Sequence, residues 1–166
     1  MDNAVITAQQ VVNIVLSGAS FDVSLLSQHI IKSQRKYLKT ALGDDFYDQI
    51  VALMDGTTGM MNGTATSDYT NLLADYIKPT ISRFVMFEAL PMIRTNISSA
   101  GVVVNRTEFA DQSDKADYGS LRSSLLSDAE WYRTQMVDFL VDNEDIFTLF
   151  ENCDYKKRNR PGIILE

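Results

Sequence analysis

Catalysis by a nucleophile–histidine–acid relay needs an imidazole, and the chain has a single one, His29, in the stretch Gln28-His29-Ile30. No nucleophile motif accompanies it, and an imidazole with neither nucleophile nor orienting acid relays no proton. His29 therefore reads as a residue at the edge of the core. Cys153 is the lone cysteine, which excludes an intramolecular disulfide and a multi-cysteine metal cage. Its basic neighbours Lys156 and Lys157 favour a thiolate, but no base is set beside it, and it reads as a small hydrophobe near the terminus. The glycines of Asp55-Gly56-Thr57-Thr58-Gly59 lack the GK[ST] that lets a P-loop hold phosphate.

The carboxylates divide in the same way. Asp44, Asp45 and Asp48, and later Glu144 and Asp145, stand where helices are expected to begin and complement the helix dipole there. Asp111, Asp114 and Asp117 have the chemistry for a hard cation. They lack the turn glycine and bidentate glutamate of an EF-hand, so helix capping is the better account. Glu88 is the exception: it falls on the apolar side of a helix, where a carboxylate needs a partner, and Lys32, Arg35 and Arg122 are candidates. An acid-dependent active site would need a second group converging near Glu88 or Asp111, and the sequence nominates none. The reading is therefore of a protein that is not an enzyme, with no catalytic, metal-ligating or cofactor-binding residue.

The elements that carry these residues are mostly helical. Residues 7–17 form a short helix with Thr7 as N-cap and Gly18 as stop. A longer helix runs from about Asp22 to Leu42. Leu26, Ile30, Tyr37 and Ala41 form its apolar stripe, and Lys32, Arg35, Lys36 and Lys39 fill the opposite side. Gly43 offers a left-handed C′ residue, Asp44 caps the next helix, and that helix (45–54) buries Phe46, Ile50, Leu53 and Met54. Residues 55–67, rich in Gly, Thr, Ser and Asn, read as a flexible loop.

A long helix then runs toward Arg94 on the stripe Leu73, Ile77, Ile81, Phe84, Val85, Glu88 and Met92. A kink or break is expected near Lys78, ahead of Pro79, and an end near Pro91. Its segment FVMFEALPMI is apolar nearly all round, which makes it the central helix of a bundle rather than a cofactor box. Residues 114–142 form a second long helix on Tyr118, Leu121, Leu125, Ala129, Tyr132, Met136 and Phe139, with Trp131 as a packing anchor. A short helix at 143–151 presents Ile146, Phe147, Leu149 and Phe150.

Composition sets the outer bounds. At 166 residues and 45% hydrophobic, the chain suits one globular domain, here 1–152, followed by an extended tail, 153–166. With 15 basic against 22 acidic residues the net charge is −7. That argues against gripping phosphate backbones, though an acidic wall lets DNA pass without sticking. No apolar run reaches the ~20 residues of a membrane span. The N-terminus lacks the basic region of a signal peptide, so cytoplasmic assembly and no membrane partner are expected.

Two features are not absorbed by the core. One is a β-rich arm at about 97–113: Val102, Val103 and Val104 favour strand, Gly101 before them is a turn or bulge signal, and Asn105-Arg106 is a candidate turn that lacks the glycine a type I′ turn prefers second. An unpaired strand exposes donors and acceptors that suit partner recognition. The other is the tail, where the basic cluster Tyr155, Lys156, Lys157, Arg158 and Arg160 precedes the apolar Ile163, Ile164 and Leu165. A solvated basic run is the plain reading, but the apolar end would suit an anchor on a neighbouring subunit.

Residues 21–54, FDVSLLSQHIIKSQRKYLKTALGDDFYDQIVALM, carry a helix ending in a "YL…LG" segment followed by an acidic, aromatic "DDFYDQI" helix. With the long helix at 69–94, the Ser98–Val102 arm and "SLLSDAEWYRTQMVDFLVDN", this pattern resembles head–tail connector (adaptor, head-completion) proteins of tailed phages, nearest those of phages and prophages of Bacteroidetes hosts. The resemblance spans residues 21–152 and is one of helices and small motifs. It implies a virion structural protein at the head–tail junction, assembled in the host cytoplasm. Such proteins form a homo-oligomeric ring, commonly of twelve copies, beneath the portal protein. The ring would extend the DNA channel, let genomic DNA pass without specific binding, and seat the next tail or stopper ring. Arm and tail would then make the subunit and portal contacts. The alternative is a non-virion helical adaptor or regulator that holds one protein partner through the same two segments.

Overall fold

The computed structural model of the chain describes residues 3–16, 23–98, 101–104 and 114–150, with side chains described over 3–16, 23–93 and 118–150. Five helices and one β-hairpin make up the described fold, a mainly helical bundle as the periodicity predicts. Helix α1 (Ala8–Leu16) starts with a reciprocal cap. The Gln10 amide donates to Thr7 Oγ1 (3.3 Å), and the Thr7 amide donates to Gln10 Oε1 (3.1 Å). This satisfies two of the donors that a helix start leaves open. The segment before α1 belongs to the core, with Val5 and Ile6 fully buried.

Helix α2 (24–42) is not wound uniformly. Its middle turn, Gln34–Leu38, is a π segment between α-helical Ser24–Ser33 and Lys39–Leu42. Gly43 ends it at φ 81°, ψ 164°, a region only glycine occupies freely. Gly43 is also the N-cap of α3 (Asp44–Ala52), accepting from the Tyr47 amide at 3.1 Å. Asp44 is thus the first helical residue rather than the cap. Helix α3 buries Phe46, Tyr47 and Ile50, and Met54 beyond it is buried too, while Leu53 is only half-buried.

Residues 55–67, expected to be a flexible loop, are tied down instead. Met54 bridges Met61, the Asp55 amide donates to the Met60 carbonyl (2.9 Å), and the Asn62 amide donates to that of Leu53 (2.8 Å). Asp55 and Asn62 close side-chain turns on Thr57 and Thr64, the use such residues commonly find in loops. Gly59, at φ 63°, lies against the start of α1: a Cβ there would stand 2.7 Å from Gln10 Oε1 and 3.1 Å from Ile6 Cα.

Helix α4 (67–94) runs through the bundle, packed by α1, α2 and α5. Ile77, Ile81, Phe84, Val85 and Ala89 have no exposure, as a central helix requires. The two prolines act differently from expectation. No break falls at Lys78; the turn before Pro79, Leu72–Ile77, is wound as a second π segment, and the α-helix resumes at Lys78–Arg94. The wider i→i+5 turn lies where the proline ring would crowd the preceding carbonyls. Pro91 does not end the helix, which continues to Arg94 because packing on three sides outweighs the local cost of about 3 kcal/mol.

Strands β1 (Thr95–Ser98) and β2 (Gly101–Val104) pair antiparallel, Thr95 opposite Val104 and Ser98 opposite Gly101. The hairpin reverses between residues 98 and 101, so Asn105-Arg106 is not its turn. Residues 105–113 of the expected arm, Arg106 among them, lie outside the described residues. Helix α5 (Asp114–Asp142) packs along α4 through Leu125, Ala129, Met136 and Leu140, while Leu121 is half exposed. After it, residues 143–150 are not a helix but successive turns, in which the Asn143 carbonyl accepts from the Ile146 and Phe147 amides. These turns lower Phe147 and Phe150 onto Phe46 and leave Ile146 and Leu149 outside.

Candidate functional site

Where α2 crosses α4, three side chains converge on one carboxylate. Lys32 Nζ donates to Glu88 Oε2 (3.1 Å); Lys36 Nζ (2.6 Å) and the Tyr37 hydroxyl (2.5 Å) both donate to Oε1. Lys36 and Tyr37 would diverge on a uniform α-helix, but the π turn lets the fourth and fifth residues after Lys32 share a side. Tyr37 is also stacked on Phe84, with ring centroids 3.9 Å apart and planes within 8°. Burial pushes the Glu88 carboxyl pKa up, yet the hydrogen bonds from Lys36, Tyr37 and Lys32 outweigh it and bring the value from 4.5 to about 2. A carboxylate with so low a pKa has no proton to give at neutral pH and is a weak base. Its chemistry is that of an electrostatic pin between two helices.

Of the expected partners of Glu88, Lys32 is present, whereas Arg122 lies over the Phe87 ring at 4.4 Å. Lys36 and Tyr37 were not foreseen, because a 3.6-residue period sets them on opposite sides of α2. His29 is buried, with Nε2 3.2 Å from the Met92 sulfur and Nδ1 without a hydrogen-bond partner. Burial, then the charge of Lys32, lowers its pKa and keeps it neutral. A thioether offers it neither a nucleophile nor an orienting acid. Among the described residues no group of three or more His, Cys, Asp or Glu is placed to hold a metal ion.

Gln34, not foreseen from the sequence, is fully buried. Its Oε1 accepts from the Val5 amide (2.9 Å), and its Nε2 donates to the Asn3 carbonyl (3.2 Å) and the Tyr47 hydroxyl (3.3 Å). It sews the first residues of the chain to α2 and α3. A polar residue within an apolar stripe was the one available hint.

Trp131 is the clearest surface feature. Expected as a packing anchor, it is 58% exposed. Its neighbour Tyr132 is held from the inside by the Arg83 guanidinium, 3.9 Å from the ring centroid, and the indole meets that ring edge-on at 4.8 Å. Among the described residues β1 and β2 pair only with each other, so Gly101, Val102, Val103 and Val104 form a strand with an outer edge that no described strand covers. The tail residues Tyr155, Lys156, Lys157, Arg158, Arg160, Ile163, Ile164 and Leu165 lie outside the described residues, as does Cys153. No helix among the described residues is long and apolar enough to cross a membrane.

A family model, described as a family of unknown function (DUF6712), matches residues 38–160, from the end of α2 through α3, α4, the hairpin and α5. The chain belongs to that family. No curated protein and no solved structure matches it.

Proposed function

We propose that the chain is a structural subunit of a phage head–tail connector, acting by assembly rather than catalysis. The observation that carries this reading is the hairpin Thr95–Ser98 with Gly101–Val104, set between the two longest helices and paired, among the described residues, only with itself. Open strand edges accept another chain's backbone, and this hairpin continues directly from the end of the central helix at Arg94. The resemblance over residues 21–152 supplies the setting, a ring beneath the portal at the capsid vertex. The net charge of −7 suits a wall that DNA slides past. An ionised Glu88 braced by two lysines and a tyrosine serves such a part by holding helices in place under load.

The test is the mass of the purified chain by light scattering, alone and with a candidate portal protein. A large ring, or a chain that joins the portal in ring stoichiometry, supports the proposal. A monomer indifferent to the portal would favour the alternative, a helical adaptor serving one protein partner.

A further inference from the structure

From Asp128 to Asp145 the chain carries Asp128, Glu130, Asp138, Asp142, Glu144 and Asp145, against Arg133 as its one cation. That cation is engaged, its guanidinium 2.6 Å from Glu130. Asp128, Asp138 and Asp142 are exposed and stand three residues before and seven and eleven after Trp131. These spacings return to one side of a helix. The outer face of α5 is thus an acidic strip with one large aromatic at its middle, and it is followed by the exposed Ile146 and Leu149. The core does not use this face: α5 packs inward through Leu125, Ala129, Met136 and Leu140.

The rest of the chain holds a segment of the opposite kind. Lys156, Lys157, Arg158 and Arg160 make the tail's basic cluster, and Ile163, Ile164 and Leu165 follow within a few residues. Charge and apolar character complement the α5 face in both respects. Ile163 lies thirteen residues beyond Phe150, a reach of at most about 43–47 Å at full extension.

We propose that the outer face of α5 is the docking site for the C-terminal tail of a second copy of this chain, with the basic cluster on the acidic strip and the apolar end against Trp131. The contact rests on the connector reading for the presence of a neighbour, and it assigns that neighbour's surface. Trp131 is the only tryptophan, so intrinsic emission reports on the site directly. In the full-length chain, alone and with the portal, the emission should shift to the blue as protein concentration rises, and added salt should weaken the shift because exposed charges are screened. The full-length variants K156E/K157E/R158E and D128K/D138K/D142K should each lose the shift, and mixing the two should restore it.

A shift independent of concentration would mean that each tail folds onto its own α5, and would overturn the proposal. So would a shift that survives both charge reversals, or no shift under either condition. Portal binding by a chain that shows no shift sinks the docking site and leaves the connector reading standing. A shift without portal binding does the reverse.

Discussion

Glu88 is largely shielded, with 11% of its side chain exposed, whereas Lys32 and Lys36 are 61% and 53% exposed. Solvent therefore discounts the ion pairs, and the hydrogen bonds they share with Tyr37 are the main loss when the carboxyl is removed. Glu88→Ala should cost about 1–3 kcal/mol in urea denaturation at pH 7. Because the folded pKa, about 2, lies below the ordinary 4.5, this stability is full above pH 4.5 and is lost as pH falls from 4.5 toward 2. Glu88→Gln should therefore flatten the stability–pH curve in that window, and an unchanged acid limb would show that the pin does not hold in solution. Gly59→Ala combines a positive φ with contact against backbone atoms of Ile6 and Thr7. It should destabilise by about 1–3 kcal/mol, read as a lower denaturation midpoint at unchanged slope. Glu88 was legible as a buried acid, since its place in the apolar stripe is a property of spacing. Gln34 and the clamp on Gly59 were not, because their partners are backbone groups far away in sequence.

At the scale of elements, the seam between α2 and α4 centres on Phe84, fully buried and stacked on Tyr37. Phe84→Ala should cost about 3–5 kcal/mol; a loss below about 1 kcal/mol would mean that α4 is not the central helix in solution. The helices themselves were readable because burial repeats at their period. Thr7 and Gly43 were readable because cap chemistry is local. The π segments were not: each changes the winding over one turn, which a fixed period cannot register; Lys36 is exposed as its place on the polar side predicts, and its reach to Glu88 beside Tyr37 was not readable. The hairpin's strand character followed from Val102, Val103 and Val104. Gly101, a turn or bulge signal, does adjoin the reversal, whereas Asn105-Arg106, weighed as a turn despite lacking a second-position glycine, does not. The turns after Asp142 look helical by periodicity alone, since Ile146 and Leu149 mimic a stripe that in fact faces outward.

For the whole molecule, the described residues from Val5 to Phe150 already share one buried apolar cluster. Deleting residues 154–166 should leave the helical circular dichroism signal and the thermal midpoint unchanged while impairing assembly with the portal. Global unfolding on that deletion would contradict a tail that serves as a contact arm. The outward place of Trp131 could not be read from the sequence. An apolar residue beside a tyrosine on a long helix satisfies a packing pattern as readily as a surface one, and only the position of α4 decides between them.

The bonds that sew Asn3, Val5 and Gln10 to Met54, Gln34 and the Thr58 carbonyl also set an order of events during synthesis. The segment carrying Val5, Ile6, Val11 and Val12, all buried in the finished chain, leaves the ribosome before the helices that cover it. The Asn3 amide donates to the Met54 carbonyl, a partner made 51 residues later, and α4 is not complete until Arg94 has emerged. At about 5–20 residues per second, the opening segment must wait several seconds with its apolar side uncovered. A nascent chain stalled before residue 54 should therefore be more open to protease near its start than one stalled after residue 94.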